Sequence, residues 1–71
     1  MNMIKIYEDQ RDILISEQQK TNKELKIIQA AGATMSKKSI AYMNELIDYL
    51  IYLEDGIDIL ESRINSIGII N

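Results

Sequence analysis

The sequence predicts an all-α protein, an antiparallel helical hairpin that self-associates as a coiled-coil-like four-helix bundle. The first observation behind this is a seam. Apolar residues recur at 3-4 spacing through Met43, Leu46, Leu50, Leu53, Ile57, Leu60, Ile64 and Ile67, which is a heptad pattern. The second is that no proline interrupts the chain, and the stretch 30–36, with Gly32 inside it, lacks helical phasing and divides two helical halves. The third is size: 71 residues, 46% hydrophobic and 27% charged, must bury a core yet are too few to be stabilised by it alone. Small domains answer with disulfides, a structural metal or self-association. With no Cys and no His, self-association is the remedy left.

Helix one is expected over about 3–30, on a weaker seam of Ile4, Tyr7, Arg11, Leu14, Gln18, Thr21, Leu25 and Ile28. Its polar members, Arg11, Gln18 and Thr21, either set register inside the core or mark a face outside it. The run Ser16–Glu24 has no apolar side chain and Thr21-Asn-Lys-Glu24 spells a capping box, so a break near 16–22 stays open beside a continuous helix. A turn at 31–36 follows, short enough to set the helices antiparallel. Helix two is expected over about 37–67, roughly 45 Å long. Ser36 is its N-cap; Gly68 would stop it in a left-handed C′ position, with Ile69 against Ile64. Tyr42, Tyr49, Tyr52 and Ile59 flank the seam on one side, and Ile40, Ile47 and Ile51 on the other. So wide an apolar arc asks for more than one neighbouring helix. Residues 1–71 form one domain, without repeats or low-complexity tracts.

Composition excludes several functions. Without His or Cys there is no thiolate or imidazole metal site and no Cys- or His-based catalysis, and the turn is too short to build a pocket beside the carboxylates. The protein is expected not to be an enzyme, to need no cofactor and to bind no metal. Asp48 cuts the best apolar run, Leu46–Leu53, so no membrane span is expected. The start MNMIKIYED has neither the basic n-region nor the apolar stretch of a secretory signal, and with zero Cys this points to the cytoplasm. The net charge of −3 argues against DNA as a partner. Its distribution is uneven: residues 1–38 carry seven bases and five acids, residues 39–71 one base and six acids. The two halves should attract each other.

Several groups are candidates for binding. Lys20, Lys23, Lys26, Lys37 and Lys38 gather toward the turn, beside the free backbone donors behind Ser36; with Tyr7 they would form an anion or nucleotide-phosphate site shared between chains. The plainer reading is a solvated, lysine-rich end. The four tyrosines are stacking or interface anchors, or boundary residues with the ring inside and the hydroxyl outside. Gly56 admits a close approach or is an ordinary surface glycine. Asp48, Asp55, Asp58 and Glu61 line the outer side of helix two, either as a solvated face or as a contact for a basic protein.

Two segments resemble known families. Leu53, Gly56, Leu60 and Ile64, at steps of three, four and four, are similar to the second-helix pattern of small phage helical hairpins that sequester cyclic-nucleotide signals of bacterial immunity. That resemblance implies a cyclic nucleotide as ligand and a phage inhibitor as function. Ala31–Ala41 looks like the turn and recognition-helix start of bacterial helix-turn-helix repressors, which implies a DNA-binding regulator. Here the helix that follows is acidic and about four turns longer than a groove-reading helix needs. The residues themselves point first to a small non-catalytic binding protein. It would associate with itself as a homodimer or higher oligomer and sequester or block another protein.

Overall fold

A computed structural model describes residues 2–30 and 36–70, with side chains as far as Gly68. It contains two helices, α1 over Met3–Ala30 and α2 over Lys37–Ile70, packed lengthwise as an antiparallel hairpin. The hairpin measures 54 × 15 × 14 Å. Its radius of gyration of 16.3 Å compares with about 11 Å for a compact chain of this length, so the molecule is a rod.

Both helices begin on a side-chain cap. The Ser39 N–H donates to Ser36 Oγ at 3.2 Å and the Ile40 N–H to the Ser36 carbonyl at 3.0 Å, the N-cap expected of Ser36. Asn2 does the same for α1, accepting from the Lys5 N–H at 3.3 Å. Most of the turn expected at 31–36 lies outside the described residues.

α1 runs unbroken through 16–22. Thr21 explains why its capping box goes unused: its hydroxyl donates to the Glu17 carbonyl one turn back at 2.8 Å. The polar atom is thereby satisfied within the helix while the methyl group faces inward. Thr21 is 4% exposed and is the one fully buried residue of α1. All eight members of the weak seam are buried or half-buried, Arg11 and Gln18 included, so this polar-rich stripe faces α2.

α2 differs from expectation at its end. It continues through Gly68 to Ile70 instead of stopping at 67. Glycine permits a left-handed stop but does not impose one, and no proline follows to end the helical bonding. The expected Ile69–Ile64 contact falls outside the described side chains.

The core comes from α2: Leu46, Leu53, Ile57 and Leu60 are buried, and Met43, Leu50, Ile64 and Ile67 are half-buried. Within one chain this seam, also the expected oligomer seam, packs against α1, the neighbour that a hairpin brings closest. Gly56 sits at the same contact. A Cβ there would lie 3.1 Å from Leu14 Cδ1, so the glycine marks a close approach of the helices, not a chance surface position. Among the described residues no ion pair joins the two helices. All three ion pairs among the described residues are internal to α1: Lys5–Asp9 at 3.9 Å, Arg11–Glu8 at 4.0 Å and Arg11–Asp12 at 3.6 Å.

Candidate functional site: an uncovered tyrosine flank

The helices are joined along one side by tyrosines. Tyr42 donates its hydroxyl to Glu24 Oε1 across the interface. One heptad on, Tyr49 lies beside Glu17 and stacks with Tyr52, ring centroids 6.3 Å apart and planes 13° from parallel. Near the open end of the hairpin the Arg63 guanidinium stands 5.8 Å from the centroid of the Tyr7 ring. The rings remain substantially exposed, Tyr52 at 70%, so this is a surface ladder over the core and not part of it.

The surroundings of both hydroxyls favour the neutral form. The Tyr42 pKa is raised above the usual value first by its hydrogen bond to Glu24, then by desolvation and the charges of Glu24 and Glu45. That of Tyr49 is raised by desolvation first, then by Glu17 and Tyr52. A folded-state pKa above the unfolded one contributes stability that is complete below the ordinary tyrosine pKa, about 10, and is lost as pH rises through the folded value. Thermal midpoints should therefore hold from neutral pH to about 9 and fall above about 10. A Tyr42→Phe/Tyr49→Phe chain should lose part of that alkaline decline, and an identical decline would refute the coupling.

The remaining candidates do not converge within one chain. Lys20, Lys23 and Lys26 follow at intervals that step about 60° around a helix, so they fan over the outer arc of α1. Lys37 and Lys38 are exposed at the start of α2, and none of the five forms an ion pair among the described residues. Tyr7 lies about 20–30 Å along α1 from the lysines, at the other end of the rod. A single chain does not assemble the expected nucleotide site. Asp48, Asp55, Asp58 and Glu61 are exposed, without an ion pair among the described residues. No group of three or more carboxylates among the described residues is arranged to hold a metal ion, and no helix is long and apolar enough to cross a membrane.

Sequence reasoning placed the tyrosines on a flank but missed Glu17 and Glu24 as their partners. Their seven-residue spacing, matching Tyr42 and Tyr49, was the available signal. No protein family, curated protein or solved structure matches this chain.

Proposed function

We propose that this protein is a non-catalytic, self-associating helical module that acts by occupying the surface of another protein. One observation carries the reading. Among the described residues four hydrophobic side chains are buried and ten large ones stay exposed, among them Ile13 at 68% and Ile27 at 73%. Scattered apolar residues on a surface are ordinary, but a small domain that leaves more large apolar side chains exposed than it fully buries has yet to find its neighbours. The lack of His and Cys supports a binding role over catalysis, and suits a reducing compartment such as the cytoplasm.

The acids of α2 suit a basic partner surface, with steering that salt would screen. Sedimentation equilibrium of the whole chain should return a homodimer or higher oligomer; a compact monomer at every concentration would sink the reading. Asp55→Lys/Asp58→Lys should leave helicity and assembly intact, since both side chains are exposed and off the seam. The reversed chain should bind a basic protein partner far more slowly at low salt and little differently at high salt. A cyclic-nucleotide site has less support, because the turn-end lysines spread over the outer arc. DNA recognition has less still: the lengthwise packing of α1 on α2 differs from the steep crossing of a helix-turn-helix.

A further inference from the structure

We infer that a second copy of this chain covers the tyrosine flank, with the two-fold axis along the rod, so that both turns lie at one end and α1 of each copy faces α2 of the other. The inference rests on the self-association proposed above and adds its face and orientation.

The face follows from where the uncovered apolar surface lies. The Tyr42–Glu24 and Tyr49–Glu17 pairings put positions 42, 49 and 56 of α2 and 10, 17 and 24 of α1 along one side of the hairpin. At heptad spacing the next positions outward on that side are 45, 52 and 59 of α2 and 6, 13, 20 and 27 of α1. Of the ten exposed large hydrophobics, seven fall here: Ile13, Ile27, Tyr42, Tyr49, Tyr52, Ile59 and, at the end, Met3. The opposite side keeps Ile40, Ile47 and Ile51, but interleaves them with Lys5, Asp12, Lys26, Glu54, Asp58 and Glu61. Burying that side would strip water from these six charges, against Glu17, Lys20, Glu24 and Glu45 on the rows of the tyrosine flank.

The area fits one neighbour. The chain exposes 5483 Å², whereas a compact protein of its mass exposes about 4,500 Å². The excess, about 1,000 Å² per copy and about 2,000 Å² for two, is what a stable dimer interface covers.

Charge sets the orientation. The register that sets Tyr42 beside Glu24 and Tyr49 beside Glu17 places Ile6 level with Ile59, Ile13 with Tyr52 and Lys20 with Glu45 on the outer rows. A two-fold axis along the rod keeps heights and exchanges helices, so Ile13 of one copy meets Tyr52 of the other and Lys20 meets Glu45. Neither Lys20 nor Glu45 has an ion pair within the chain among the described residues. An axis across the rod would instead reverse heights, setting Lys20 against Ile13 and α2 against α2, acid on acid. The chosen arrangement brings the other turn-end lysines of both copies, Lys23, Lys26, Lys37 and Lys38, to one end, exposed in each chain and screened by salt.

The experiment is sedimentation equilibrium at low salt, with circular dichroism to confirm helicity, on the whole chain and on variants. Lys20→Glu and Glu45→Lys, each alone, set like charges opposite one another twice per dimer and should weaken self-association roughly tenfold. Mixed, the two variant chains should form heterodimers in preference to either homodimer, and Lys20→Glu/Glu45→Lys in one chain should restore wild-type association. Ile13→Glu should give monomers, whereas Ile51→Glu on the opposite side should leave the dimer. A wild-type chain that is monomeric overturns this inference together with the proposed self-association. A dimer broken by Ile51→Glu and not by Ile13→Glu keeps self-association and overturns the face. A dimer lost with Ile13→Glu but without heterodimer preference overturns the orientation.

Discussion

Leu53→Ala should unfold most of the population at room temperature. Leu53 is 1% exposed, the most deeply buried side chain among the described residues, where Leu46, Ile57 and Leu60 are the other buried hydrophobics. Truncating a buried leucine removes its transfer free energy and leaves a cavity, together about 2–5 kcal/mol. A chain of this size holds only about 3–5 kcal/mol from one core, so the change is comparable with its whole stability. Ile59→Ala, at an exposed position on the same helix, removes similar chemistry without opening a cavity and should leave helical packing within the chain intact. Urea unfolding followed by circular dichroism, at one chain concentration for all variants, separates the two. A loss below about 1 kcal/mol for Leu53→Ala would mean that the seam is not the core.

The seam of α2 was legible because eight apolar residues in unbroken 3-4 alternation leave one choice of face, and all eight lie buried or half-buried. The stripe of α1 was legible as a spacing but not as a face. Arg11, Gln18 and Thr21 carry no apolar signal, and only the strength of the facing stripe draws them inward. Thr21 shows how: a hydroxyl satisfied by its own helix makes the residue behave as a small apolar one. The cap at Ser36 was readable from residue type, and that at Asn2 rests on the same chemistry and went unread. What no local pattern supplied is relative register. Whether Glu24 meets Tyr42, or Leu14 meets Gly56, depends on how the turn offsets one helix against the other. The lysines show the same limit, since closeness in sequence to a turn does not give convergence within one chain when every third residue points about 60° further round the helix.

That register makes Gly56 the second position where a large effect is expected. Two terms oppose each other there. Glycine inside a helix costs about 1 kcal/mol relative to alanine, which any side chain would recover. Against it stands Leu14, whose Cδ1 lies 3.1 Å from the place of the new Cβ. For Gly56→Ala the obstacle is the far end of a flexible, half-buried side chain, which need move only a few tenths of an ångström. The helical gain should win, raising stability by about 0.5 kcal/mol. For Gly56→Leu three more carbons enter the same space, and moving the tip of Leu14 no longer suffices. Either the helices part along the contact or both leucines leave their rotamers, at about 1–3 kcal/mol. The two substitutions should thus shift the urea midpoint in opposite directions. A cycle with Leu14→Ala tests the cause: removing the leucine tip should reverse most of the loss in the Gly56→Leu background, a coupling of at least about 1 kcal/mol. Additive effects would mean that Gly56 and Leu14 do not touch, and the register that joins Tyr42 to Glu24 would fall with that contact.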